Sequence, residues 1–317
     1  MPILEITPLI GCSNACEYCP QTTLIRQYKE KCSNDKEMSF EQFKKYISTI
    51  PTSVDIHFTG YVEPLLAKDA PEMIEHAYEK GHGVMLNTTL MGLTPELWDR
   101  FSKSVIFKDV HIHLPSGSYE EMIGVQKPVE WFEVNGKRYK RISHEYFVMV
   151  EHMLKNPCKT KGAGIPLWHC HGDLHPQLVE LQNYTNVGVR DINSRAMNLL
   201  LEKKDKVPEK TNIRGKCPRV AQNVLLPSGH LSLCCQDYGL DELMGNLSEQ
   251  TWEEYQNSDH AQEIFKNGAD MCDYCEEGVD YVDDSTWGEW RRVRNRQQVK
   301  KDVVDLTVGN TDKNTTE

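Results

Sequence analysis

A chain of 317 residues with 39% hydrophobic and 9% aromatic content is long enough to bury a full core and to hold one large domain beside a smaller one. Its formal net charge of -11 and sequence pI near 5.6 argue against a nucleic-acid groove or an anionic membrane as the main partner, since the one basic run, RRVRNRQQVKK, lies near the end. No signal peptide precedes PILEITPLIG and no apolar run approaches the ~20 residues of a membrane span, so a cytoplasmic protein is expected. In that compartment its 11 cysteines are read as metal ligands or buried thiols before disulfides.

In chain order, ILEIT predicts a first strand that leads into the loop GCSNACEYCP. SFEQFKKYISTI predicts a helix, with Ser39 as N-cap and Phe40, Phe43, Ile47 and Ile50 as its apolar stripe. Strand VDIHFTG, helix APEMIEHAYEKGH, strand GVMLNTT, helix TPELWDRFSKS and strand DVHIHL follow. After an insertion come helix EYFVMVEHMLKN, strand GIPLWHC, helix PQLVELQNYT and strand GVRDI. Six such units within about 195 residues predict a parallel sheet, open or barrel-like, with helices outside.

The insertion contains VEWFEVNGKRYKRIS. Asn135-Gly136, between runs bearing Trp131, Phe132, Val134 and Tyr139, predicts a hairpin, because both positions of a type I′ turn need φ > 0. Strands of such a fold open toward the site at their C-terminal ends. The hairpin is therefore expected over the cavity, either as a lid whose Lys137, Arg138, Lys140 and Arg141 meet an anionic group of the substrate, or as a solvated surface hairpin.

Alternation along the strands sorts the side chains by face. VHIHLP puts Val110, Ile112 and Leu114 on one side and His111 and His113 on the other; DIHFT and LWHCHGD repeat the split with His57, His169 and His171. A doubly covered parallel strand is apolar on both faces, so a polar cavity lined by His57, His111, His113, His169 and His171 is expected. For any one of them a hydrogen-bonded interior histidine is the simpler reading.

Beyond residue 200, LEKKDKVPEKTNIRGK is charged and lacks an apolar period, which marks a linker. NVLLPSGHLSLCC then predicts a second hairpin, QTWEEYQNSDHAQEIF a helix, and MCDYCEEG a closing segment, before a polar tail whose end, VGNTDKNTTE, is expected to be disordered.

The chemistry lies in the cysteines. Three thiols at C-x3-C-x2-C on one loop leave one iron of a cubane open for another ligand, whereas a zinc knuckle would need a fourth ligand, for which Cys32 is near in sequence. The spacing of Cys12, Cys16 and Cys19 resembles the signature of the radical S-adenosylmethionine (radical SAM) superfamily, and Tyr18 stands where that family carries an aromatic residue. TGYVEP resembles the family's glycine-glutamate-proline motif at Gly60, Glu63 and Pro64, with Tyr61 and Val62 departing from the small-residue pattern. NTT, with Asn87, ends the third strand where relatives carry Thr-Asn-Gly. The fourth strand has His113 and Pro115 where many have serine and aspartate. NSRAMNL resembles a Ser-Arg-Ala-Gly-Asn-Leu segment, which makes Arg195 a candidate for the cosubstrate carboxylate or else a structural ion pair. Cys217, Gly229 and Cys234 at C-x11-G-x4-C, with Cys272 and Cys275 after them, look like the auxiliary-cluster region of the SPASM and twitch branch. The same four thiols could hold structural zinc, and Cys235 competes with Cys234 as the ligand.

The resemblance implies an α/β fold: a partial (β/α)6 barrel over residues 1–200, a linker over 201–216, a twitch-like iron-sulfur domain over 217–280 and a polar tail over 281–317. It implies two [4Fe-4S] clusters, one open and one auxiliary, with S-adenosylmethionine and a reductant such as flavodoxin or ferredoxin. Reductive cleavage of the sulfonium would give a 5′-deoxyadenosyl radical that abstracts a hydrogen from substrate. The inward histidines, His113 and His171 foremost, suit a small polar alcohol such as a sugar, aminocyclitol or nucleotide sugar, because an imidazole of ordinary pKa can take the O–H proton. Two alternatives stand beside this. One is modification of a peptide, against which the first strand's start near Ile3 is set, since it leaves no room for a leader-recognition domain. The other is a non-catalytic iron-sulfur or zinc interaction protein, which would have to discard both the triad and the Gly60 to Pro64 match.

Overall fold

The computed structural model describes residues 2–190, 192–199 and 217–275. Six strands lie parallel and in sequence order: β1 (Ile3–Ile6), β2 (Asp55–Phe58), β3 (Val84–Thr88), β4 (Asp109–His113), β7 (Leu167–His171) and β8 (Val187–Arg190). Among the described residues β8 has no second strand neighbour, so the barrel is partial and open on that side. On the other side the sheet continues. β9 (Gln222–Leu225) pairs parallel with β1, and β10 (His230–Ser232) and β11 (Leu243–Asn246) follow antiparallel, giving nine strands in one sheet.

Helices cover the outer face. α2 (Phe40–Ile47) starts at Ser39 in a capping box with Gln42 and buries Phe43 and Ile47, as its periodicity predicts. α3 (Ala70–Glu79), α4 (Pro95–Ser104) and α5 (His144–Lys155) bury Met73, Ile74, Trp98, Phe101, Met149 and Val150 against Leu4, Ile6, Ile56, Phe58, Leu86, Val110 and Ile112 of the strands. Those strand residues alternate with the histidines, so one face of the sheet is a dry core and the other is polar.

Several elements depart from expectation. α1 (Gln21–Lys31) follows the cysteine loop unannounced: its cap is Pro20, no side chain caps it, and only Leu24 and Tyr28 mark its buried face. The segment Pro176–Asn183 is a 3₁₀ helix throughout, because its two buried residues, Leu178 and Leu181, are three apart and line up at three residues per turn. The C-terminal helix is two, α6 (Trp252–Gln256) and α7 (Asp259–Asn267), since Ser258 caps a new helix by accepting from Ala261 N–H. The insertion forms the expected hairpin, β5 (Trp131–Val134) with β6 (Lys137–Lys140), with Asn135 at φ 52° and Gly136 at φ 78°. The linker over 201–216 and the tail from residue 276 lie outside the described residues.

Candidate active site

The loop between β1 and α1 turns at Gly11 (φ 101°) and Ala15 (φ 46°) and brings the three thiols together. Burial holds Cys12 above the ordinary thiol range, against hydrogen bonds from the Glu63 and Asn14 main chain, and the neighbouring Cys19 adds to the rise. Burial likewise pushes Cys16 well up, with Glu121, Cys19 and Cys12 adding to it. Cys12 and Cys16, whose ionisation burial and their neighbours disfavour, stand with Cys19 on one half-buried loop as a donor set that a cationic iron centre would relieve, so these residues fit the group the spacing suggests. Among the described residues no three His, Cys, Asp or Glu side chains could share a single metal ion. Cys32 belongs elsewhere: it caps the far end of α1, whose 11 residues span roughly 16 Å.

The β2 turn closes over the loop. Gly60 takes φ 78°, and a Cβ there would stand 2.2 Å from Thr7 Oγ1, which accepts from Tyr61 N–H at 3.1 Å. Glu63 is buried and its carboxylate is held by protein donors: Leu65 N–H at 3.1 Å, Thr88 Oγ1 at 3.0 Å, Thr89 Oγ1 at 2.7 Å and Thr89 N–H. Those four donors match the four acceptor positions of a carboxylate, so Glu63 ties the β2 turn to the end of β3, and an ammonium nearby would meet backbone oxygens of this turn. Burial lifts the Glu63 pKa to about 7 despite those bonds. Asn87 donates to Thr59 Oγ1 at 2.8 Å while its own Oδ1 is buried without a partner, and Asn14 Oδ1 is left the same way. Orphaned acceptors are costly unless a bound group supplies the donor.

Four of the five expected inward histidines form one wall. The ring centroids of His113 lie 5.0 Å from His169 and 4.8 Å from His171, and His111 lies 6.1 Å from His169. His57 stands a row lower, between Glu5 and Met85 in register, and burial brings it down to about 4 against the pull of Asp55. Tyr18 joins the wall to the cysteine loop. Its ring meets His171 at 4.6 Å, its hydroxyl lies 2.9 Å from His113 Nε2, and it donates to Glu121 Oε2 at 2.7 Å. With that proton directed at Glu121, His113 donates through Nε2 and keeps its lone pair on Nδ1. Burial, then the neighbouring His171, Arg190 and Arg195, drive His113 well below the ordinary imidazole value, and His169 is driven down by burial and Arg190. His113 therefore stays neutral and is a weaker base than an ordinary imidazole. His171 Nδ1 lies 2.9 Å from the Arg190 carbonyl, which can only accept, so its lone pair is on Nε2.

Arg195 sits in a left-handed turn with Ala196 and Met197 (φ 52°, 47° and 70°), close enough to His113 to disfavour its protonation, while burial and Cys19 hold the Tyr238 hydroxyl well above the ordinary phenol value against the pull of Arg195. At the other site Cys217, Cys234, Cys272 and Cys275 line one pocket with Leu233 and Met271. Cys235 is not among the residues that line it, and its sulfur lies 3.5 Å from Nη1 of Arg219, which is. The basic side chains of the hairpin are engaged by the protein: Lys137 donates to Gly117 O at 2.6 Å, Lys140 to Glu120 at 2.6 Å, Arg141 pairs with Glu130, and Arg138 lies over the Trp131 ring. Sequence reasoning missed Asn14, Glu121, Arg190 and Tyr238. Asn14 occupies an unspecified position of the cysteine motif, and the other three reach the site by packing or register.

Residues 6–147 match the family model of the Radical SAM superfamily, the class whose chemistry uses a [4Fe-4S] cluster and S-adenosylmethionine. Solved structures agree at the level of fold. The crystal structure of BtrN in complex with AdoMet and 2-DOIA is similar over 87% of this chain and 93% of that one, at 17% identity and a TM-score of 0.53. Native anSMEcpe with bound AdoMet is similar over 92% of this chain and 99% of that one, at 12% identity and a TM-score of 0.53. No curated protein matches the sequence significantly. Among the described residues no helix is long and apolar enough to cross a membrane.

Proposed function

We propose that the cluster is held by Cys12, Cys16 and Cys19, and that the enzyme oxidises or rearranges a small polar substrate, of sugar, aminocyclitol or nucleotide-sugar type, in the histidine-walled mouth of the barrel. The observation that carries this reading is the contact of Tyr18 with both His113 and His171, which sets the polar wall directly against the cysteine loop. Bound there, the cluster with S-adenosylmethionine supplies the 5′-deoxyadenosyl radical that takes a hydrogen atom from substrate. Gly60, Pro64, Asn87 and Arg195 hold the cosubstrate, Asn87 through its unpartnered Oδ1. The turn at Gly60 contributes main-chain oxygens, since the Glu63 carboxylate is engaged elsewhere.

The imidazoles orient substrate hydroxyls. His113 accepts through Nδ1 with its other nitrogen fixed by Tyr18, and His171 offers Nε2 to the hydroxyl proton that becomes acidic once its carbon bears a radical. The division of roles follows from the depressed pKa of His113, which suits a hydrogen-bond acceptor more than a base at neutral pH. We assign a second [4Fe-4S] cluster to Cys217, Cys234, Cys272 and Cys275, supported by the pocket they share, and with it an auxiliary domain over 217–280 beside the barrel of 1–200.

Anaerobic reconstitution should load about eight irons per chain, and Cys16→Ala about four. With dithionite the intact protein should release 5′-deoxyadenosine from S-adenosylmethionine, and Cys16→Ala should not. Zinc with negligible iron after anaerobic purification would overturn both assignments. A panel of deuterated candidates scored by label transfer into 5′-deoxyadenosine then decides the substrate class, and label arriving from peptides alone would replace it.

A further inference from the structure

The sulfur of Cys19 has two side-chain neighbours able to hydrogen-bond it, and one of them comes from the far end of the sequence. Tyr238 Oη lies 3.4 Å from Cys19 Sγ, and Gln21 Nε2 lies 3.3 Å from it. Tyr238 is buried, at 5% exposure, and its hydroxyl meets the Cys19 sulfur. A buried phenol with no acceptor is costly, so its proton must point at the sulfur once that sulfur is a thiolate.

The geometry is held from both sides. Gln21 Nε2 also donates to Tyr61 O at 2.5 Å, and the Tyr61 ring stands edge-on to Tyr238 with centroids 4.8 Å apart. The Tyr61 hydroxyl in turn bonds Ser232 Oγ at 2.7 Å and the carbonyl of Cys234 at 2.8 Å. Tyr61 thus clamps the β2 turn to the C-terminal module at the place where Tyr238 reaches the cysteine loop. This accounts for a large aromatic at a position where the resemblance expects a small residue.

We propose that Tyr238, carried by the C-terminal module, tunes the reduction potential of the N-terminal cluster by donating its O–H to the Cys19 sulfur, with Gln21 as a second donor. The inference rests on ligation of that cluster by Cys12, Cys16 and Cys19. A hydrogen bond to a ligating sulfur stabilises the more negative, reduced state and so raises the potential. The module therefore sets how readily the first cluster is reduced, whatever its own four cysteines hold.

The test is an EPR-monitored redox titration of the reconstituted full chain, following the signal that S-adenosylmethionine perturbs, because only the open cluster responds to it. Tyr238→Phe should keep the wild-type iron content and lower the reduced-to-oxidised ratio at a fixed potential about tenfold, a shift of ~59 mV for a one-electron couple. Gln21→Leu should shift it in the same direction. If Tyr238→Phe fails to hold iron, Gln21→Leu decides alone. Unchanged midpoints with full iron overturn the inference and leave the ligation standing. A wild type with no signal sensitive to S-adenosylmethionine overturns the ligation itself, and the inference with it.

Discussion

At the scale of single residues, the site is built by side chains whose ordinary freedom has been removed. Gly60 shows why a position can admit only one residue. It adopts φ 78° and leaves no room for a Cβ beside Thr7, whereas Gly136, at the same φ, faces open space. Both substitutions by alanine incur the left-handed backbone cost of roughly 1–2 kcal/mol, but Gly60→Ala must also displace the acceptor of Tyr61 N–H. We expect Gly136→Ala to lower the unfolding free energy by about 1 kcal/mol and Gly60→Ala by at least about 2, read from urea melts. Equal losses would mean that the β2 turn relaxes around the added methyl. The motif glycine was legible in TGYVEP because the conformation is local. The Glu63 carboxylate was not, since its partners Thr88 and Thr89 come from another strand.

At the scale of elements, the hairpin shows how far a local signal reaches. Asn135-Gly136 fixes the turn, but where the hairpin docks depends on His175, which packs against Phe132 and Tyr139 and lies 3.1 Å from the Lys140 carbonyl. His175 Nδ1 accepts from Gln177 N–H, so the docked form needs a neutral ring, and burial brings the group down to about 4. The unfolded chain takes up this proton below about 6.5 and the folded chain only below about 4. Stability from this group is therefore full above pH 6.5, falls as pH drops from 6.5 toward 4, and levels off below. The loss is roughly 3 kcal/mol at most. His175→Phe should remove that part of the pH dependence of Tm, and an unchanged acid slope would assign it to other histidines. The same docking gives the basic run partners within the protein: Lys137 meets the Gly117 carbonyl and Lys140 meets Glu120 of the 115–125 segment, and Arg141 pairs with Glu130.

At the scale of the whole molecule, the C-terminal module is continuous with the barrel, because β9 pairs with the free edge of β1 and its Val224 and Leu225 are completely buried. Without it, β1 would present an open edge beside the cysteine loop. A chain ending at residue 199 is therefore expected to be insoluble or to lack a cooperative melt, and the intact chain to unfold in one transition; a soluble, cooperatively melting 1–199 fragment would contradict this. The sequence by itself determined the parallel α/β order, the polar inner face and the cysteine triad, because periodicity, caps and loop spacing are properties of neighbouring residues. Only the tertiary structure decided that four histidines form the wall while His57 stands apart, that Cys234 and not Cys235 enters the pocket with Cys217, Cys272 and Cys275, and that Tyr238 meets Cys19. Those outcomes depend on strand register and on contacts between residues up to 219 apart in the chain, which no local pattern encodes.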